Sequence, residues 1–187
     1  MSADIMNGID TTALGAYAAQ VKADKAAGIV KFSVVSDWKG GTKSVGKVSG
    51  WEIGGKPLTK SFEITADEPP ELLGKNEAPN PQELLLAAMN ACMTVGYVAT
   101  AAMMGVKLSS LQIRSSGALD LRGFLGLDEK VKPGYDSLDY EVIIEGDGTP
   151  EQFQQIHDTV TNTSPNRWNV ANEIRLNAKL TCRTTAA

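Results

Sequence analysis

Cysteine and histidine are scarce in this chain: two Cys and one His among 187 residues. Structural zinc sites usually take four such ligands, so no zinc centre is expected. The two cysteines are Cys92 and Cys182. With no secretory signal beside them, a structural disulfide is not expected, and a reduced, cytoplasmic protein is. Basic residues are also in deficit, 18 against 22 acidic, for a formal net charge of -4. No run of Lys or Arg interleaved with aromatics occurs, which excludes the usual means of gripping nucleic acid. The opening stretch lacks the basic start and apolar centre of a signal peptide. Internal repeats and low-complexity segments are absent too.

What the chain does have is enough apolar residue, 42%, for an ordinary globular core. Residues 1–28 read as an N-terminal helical arm and 29–187 as the main domain. In the arm, a helix is expected from Asp10 to Ala27, with Asp10 or Thr11 as N-cap and Gly28 closing it. The next stretch, "IVKFSVVSDWKGGTKSVGKVSGWEIGGKPLTKSFEITAD", alternates short apolar runs with Gly pairs. It predicts strands turned at Gly40-Gly41 and Gly54-Gly55. A proline-punctuated loop follows.

The one long apolar run is "PNPQELLLAAMNACMTVGYVATAAMMG". It predicts a helix from Pro81 to Met104, with Asn80 as N-cap, Glu83 completing a capping box and Gly105 ending it. At 1.5 Å per residue it spans roughly 36 Å. Gln82, Glu83 and Asn90 make it a poor membrane span, and no membrane role is expected. A helix apolar nearly all round must be covered on every side, and one small domain hardly suffices. A second copy of the chain is therefore expected to supply cover, as a homodimer. Beyond it, "KLSSLQIRSSGALDLRG" and "DYEVIIEGDG" read as strands around a loop. A helix opens at Thr149-Pro150, "SPNRWN" starts a short turn or helix, and "EIRLNAKLTCRT" is a closing strand. The order of elements gives an α+β class.

The runs "ITADEPPELLG", "PNPQELLLAAMNACMTVGY" and "SSGALDLRGFLGLDEKVKPGYDSLDYEV" resemble the OsmC/Ohr family, osmotically inducible protein C and organic hydroperoxide resistance protein. The resemblance covers Ile29 to Leu180 and points to an OsmC-like branch. It implies an intertwined dimer, in which antiparallel sheets wrap long buried central helices. It also implies chemistry: a helix cysteine attacks a peroxide oxygen, a second cysteine resolves the sulfenic acid, and a thiol or lipoyl reductant resets the site. No cofactor or metal is implied.

Carried over by position, Cys92 falls on the attacking cysteine. The resolving cysteine position reads Ser164, before Pro165, and a serine cannot form a disulfide. Gln82 stands where the best-known peroxidases have a carboxylate. The hairpin that usually offers an arginine to the thiolate offers Lys39 and Lys43, of which Lys43 is the candidate. Ser164, Arg167, Trp168 and Met89 are candidate pocket residues, with Trp168 able to close over Cys92. Beside these stand plainer readings. Cys92 can be a small buried hydrophobe, Glu83 a cap, Ser164 an N-cap, Arg122 a loop support and His157 a surface or packing residue. Three functions follow. One is a weak one-cysteine peroxidase for organic hydroperoxides that uses an external thiol. Another is a dimer binding a small hydrophobic ligand without turnover. The third is a structural dimer.

Overall fold

The computed structural model of the chain describes residues 4–184. It opens with a small hairpin, β1 (Ile5–Met6) and β2 (Ile9–Asp10), turned at Asn7-Gly8 with φ of 53° and 77°. Asn-Gly is the usual signal for a two-residue turn with both φ positive. The Asn7 amide fixes this hairpin to the main domain: its Nδ2 donates to the Val106 carbonyl (2.8 Å) and its Oδ1 accepts from Leu108 N–H (2.9 Å). Helix α1 (Thr11–Ala23) follows, capped by Asp10, and buries none of its residues. It stops short of the expected Ala27, because Asp24 takes an extended backbone and caps a turn of 3₁₀ helix, Lys25–Gly28.

The Gly-punctuated stretch forms one antiparallel sheet. Strand β5 (Ser44–Ile53) lies at its centre; β3 (Val30–Phe32) and β4 (Val35–Trp38) share one side and β6 (Lys56–Ala66) takes the other. All four predicted turn glycines have positive φ. The loop after β6 closes on a buried carboxylate. Asp67, 2% exposed, accepts from Thr42 Oγ1 (2.7 Å) and from the N–H groups of Glu68, Lys75 and Glu77. That ties the β4–β5 turn to the loop entering the long helix. Gly74 is required there, since a Cβ would collide with the Glu68 carbonyl.

The long helix α2 (Pro81–Met103) begins with the predicted capping box: Asn80 Oδ1 accepts from Glu83 N–H, and Glu83 Oε2 from Asn80 N–H, both at 2.8 Å. A second antiparallel pair, β7 (Leu108–Gly117) and β8 (Leu138–Gly146), is linked by a long loop holding the short helix α3 (Leu121–Phe124). Helices α4 (Pro150–Thr163) and α5 (Pro165–Ala171) complete the fold. Met89, Met93, Tyr97 and Ala101 of α2 form the core with Ile156 and Val160 of α4. Leu111, Ile113, Val142 and Ile144 of the β7–β8 pair pack against them. Gly96 lets the two helices approach, with Val160 Cγ1 3.1 Å from where a Cβ would stand.

The chain alone buries only one flank of α2: Leu85, Val95 and Met103 are 41%, 67% and 52% exposed. One expectation needs correction. The expected closing strand is not formed among the described residues; 173–184 runs without sheet partners, with Leu176 and Leu180 exposed. Its alternation suits a strand, but no edge of the same chain receives it. Apolar residues of the first sheet, including Phe32, Trp38 and Phe62, are exposed as well. The accessible surface is 13791 Å², against about 8,700 Å² for a compact monomer of this mass. Helix α2 is long and apolar enough to cross a membrane by length and composition. Its buried side, however, carries the core it forms with α4 and the β7–β8 pair, with Met93 and Tyr97 fully enclosed.

Candidate functional site

Cys92 sits half-buried in the middle of α2, where its neighbour is Ser164, 72 positions on. Ser164 is the junction of two helices. Its N–H donates to the Val160 carbonyl (2.9 Å), ending α4, and its own carbonyl accepts from Trp168 N–H (2.9 Å), starting α5. As read from the sequence, it is an N-cap by position. Its hydroxyl makes no capping bond, however. The side chain, 4% exposed, instead donates to Cys92 Sγ at 3.5 Å. Asn166 holds α5 against α2 by donating to the Ala88 carbonyl (2.9 Å). The "Ser-Pro" of α5 is thereby fixed over the thiol.

Beside this junction lies a cavity of about 660 Å³, lined by Gln82, Leu85 and Met89 of α2, Tyr135 and Leu138 of the β8 approach, and Arg167 of α5 among others. Leu85, Met89 and Cys92 follow one another at spacings of four and three, so they share one face of α2. Arg167 is the one cation in the lining. Its guanidinium is held twice, Nε donating to Tyr140 Oη (3.1 Å) and Nη1 to the Thr161 carbonyl (2.8 Å). Gln82, Met89 and Arg167 therefore meet at one cavity, and Ser164 meets Cys92 directly. Trp168 is 51% exposed and does not close over Cys92 in the single chain.

Lys43 is placed elsewhere. It stands at the β4–β5 turn, where Nζ lies 2.6 Å from Glu77 Oε2, in a separate hollow of about 240 Å³ with Asp67 and Gly41. The hydrogen bond to Glu77 raises the Lys43 pKa, and the same bond lowers that of Glu77. Lys39 lies in that hollow too, 3.6 Å from Asp37. One chain does not bring either lysine to Cys92. Asp67 has its pKa lowered to about 2, first by the Thr42 hydroxyl and then by three backbone N–H groups, against the opposing effect of burial.

Arg122 pairs with Asp120 in the β7–β8 loop (2.6 Å), as a loop support. Cys182 is exposed on the unpaired C-terminal segment. His157, expected as a surface or packing residue, shares a 2.7 Å hydrogen bond through Nδ1 with the hydroxyl of the enclosed Tyr97. Burial, chiefly, pushes the Tyr97 phenol up to about 12. Sequence reasoning missed this pair, and missed Tyr135, Tyr140 and Asn166; only the fold brings them to α2. Among the described residues, no group of His, Cys, Asp and Glu is placed to hold a metal ion.

A family model described as OsmC-like protein matches residues 74–179, more than half of the chain. Three solved structures share the fold at low identity. One is an osmotic stress induced and detoxification response protein from Psychrobacter arcticus 273-4, 15% identical, with a TM-score of 0.55 over 72% of this chain and 84% of that one. Another is an OsmC-like protein from Mycoplasma pneumoniae, 14% identical, TM-score 0.55, over 73% and 84%. The third, an OsmC-like protein of unknown function from Vibrio cholerae O1 biovar eltor, is 17% identical, TM-score 0.52, over 73% and 91%. No curated protein matches the chain.

Proposed function

This chain belongs to the OsmC-like protein family, and we propose that it is a cytoplasmic, homodimeric thiol peroxidase of low rate, which reduces organic hydroperoxides through Cys92. The observation that carries this reading is the 3.5 Å contact from the buried Ser164 hydroxyl to Cys92 Sγ. A thiolate accepting that hydrogen bond is oriented and partly stabilised by it. The thiolate attacks the distal peroxide oxygen, the O–O bond breaks, and the alkoxide leaves and takes a proton. Cys92 becomes a sulfenic acid and the peroxide an alcohol. Ser164 has no thiol to condense with it. A dithiol from solution, such as a reduced lipoyl group, then forms a mixed disulfide and releases water; its second thiol frees Cys92.

Gln82, in the cavity wall, offers an amide donor to the peroxide but no negative charge. Lys43 is engaged by Glu77 in its own chain, so its role as the thiolate's cation requires the hairpin of a second chain. Arg167, one turn along α5 from Ser164, needs no such rearrangement. A missing charge-assisted contact costs roughly 1.5–3 kcal/mol, or about ten- to a hundredfold in rate. That is why the rate is low.

The dimer is supported by the exposed flank of α2 and by the surface excess. Part of that excess is the unpaired C-terminal segment, whose alternating side chains suit pairing with an open sheet edge of the second copy. Light scattering at micromolar concentration should give twice the chain mass; a stable monomer sinks this part. For the enzyme, Cys92→Ser should abolish consumption of cumene hydroperoxide with added dithiol, while Cys182→Ser leaves it intact. Equal rates for wild type and Cys92→Ser would refute the enzyme. They would favour the second reading, a dimer that holds a small hydrophobic ligand in the 660 Å³ cavity without turnover.

A further inference from the structure

We infer that Asn166 is a positioning residue for the reaction at Cys92: through its bond to the Ala88 carbonyl it locks the Ser164 hydroxyl onto the thiol. Helix α5 has seven residues, too few to hold its place by its own helical bonds. Among the described residues, two side-chain hydrogen bonds join Ser164 and α5 to α2. Ser164 Oγ donates to Cys92 Sγ at 3.5 Å, and Asn166 Nδ2 donates to the Ala88 carbonyl at 2.9 Å. The second joins an amide donor to a carbonyl at ordinary length, whereas sulfur is a weak acceptor. Asn166 is therefore the anchor, and the Ser164 contact is what the anchor places.

Both bonds land on one turn of α2. In that helix the Ala88 carbonyl is the acceptor for the N–H of Cys92, four residues on. A carbonyl has two lone pairs and takes Asn166 as well. The Cys92 side chain leans toward the helix N-terminus, back over the same turn. Ser164 and Asn166, two positions apart, thus grip this turn together and fix both the slide and the pivot of α5. Arg167 does not replace that hold, since its bonds run to Tyr140 of β8 and Thr161 of α4. The thiol contact has little slack: an outward shift of roughly 1 Å takes it beyond hydrogen-bond reach. Asn166 reaches Ala88 within one chain, so a second copy laid over the open flank of α2 leaves the bond in place. The role of Asn166 deepens the proposed function and rests on that reading.

The test uses the full chain carrying Cys182→Ser, and no peroxide. With Ser164→Cys added, the thiol–disulfide equilibrium between Cys92 and position 164 is measured against glutathione. That equilibrium reports how closely the two groups are held. Asn166→Leu keeps the size of the side chain and removes its donor. It should weaken the disulfide at least about tenfold, a potential about 30 mV less negative for this two-electron couple. A cycle on the native serine gives a second readout. Asn166→Leu should alter the rate of Cys92 alkylation by iodoacetamide where Ser164 is present, and leave it unchanged in Ser164→Ala. In the unsubstituted protein the Asn166 side-chain amide should show NMR contacts to Ala88, whether or not a variant folds. Equal potentials with and without Asn166, an alkylation rate indifferent to Asn166→Leu or equally altered without Ser164, or an Asn166 amide remote from Ala88 would each overturn the inference. None of these measurements consumes peroxide, so this inference and the proposed function can fail separately.

Discussion

Ser164→Cys should convert the site into a dithiol that closes on itself. The hydroxyl oxygen stands 3.5 Å from Cys92 Sγ, whereas a disulfide needs about 2.05 Å. The longer C–S bond of the introduced thiol takes up part of the gap, and a small χ1 adjustment covers the remainder, roughly 1 Å. The bridge would link positions 72 apart. In the chain-entropy model a loop of that length stabilises by about 4.4 kcal/mol, less any strain. One equivalent of cumene hydroperoxide should therefore consume both thiols of the pair and leave a disulfide between Cys92 and position 164, found by non-reducing peptide mapping. The denaturation midpoint should rise on oxidation and fall again with dithiothreitol. Oxidised Cys92 with the introduced thiol still free would show that the contact is not held in solution. The account of the site would then lose its geometric basis.

Other expectations follow from single contacts. Asn80→Ala removes half of the capping box at the start of α2 and should cost about 1–2 kcal/mol in urea unfolding; an unchanged midpoint contradicts the cap. Met93→Ala empties a fully enclosed position and should cost about 2–5 kcal/mol in the same assay. Asp67 has a folded-state pKa below its unfolded one, so its stabilisation is complete above about pH 4 and fades as pH falls through about 2. Asp67→Asn should accordingly lower Tm at neutral pH, with the gap to wild type narrowing toward pH 2. A gap constant over that range would show that the charge does not matter there.

Local chemistry was legible in the sequence. Asn80, Pro81 and Glu83 spelled out the start of α2, and Gly40-Gly41 and Gly54-Gly55 marked their turns, because caps and positive φ are decided within a few residues. Asn7-Gly8 carries the same kind of signal. Cys92 and Ser164 were paired through the family pattern, and the fold brings them together across two helices. Arg167 and Met89 were legible as pocket residues, but Tyr135 and Tyr140 were not, since only the β7–β8 pairing carries them to α2. The partner of Lys43 within one chain was not legible either: sequence position on a hairpin does not show which carboxylate, here Glu77, it will meet. The closing strand expected over 173–184 is not formed. A strand exists only where an edge receives it, and one chain leaves 173–184 without one.

In the proposed reaction Cys92 is the reacting group. The most direct measurement is a single turnover: reduced protein, one equivalent of cumene hydroperoxide, and dimedone present to trap sulfenic acid, followed by peptide mass spectrometry. A dimedone adduct is expected on Cys92, formed together with one equivalent of alcohol, and none on Cys182. An unmodified Cys92 beside intact peroxide, or an adduct on Cys182 alone, would contradict it.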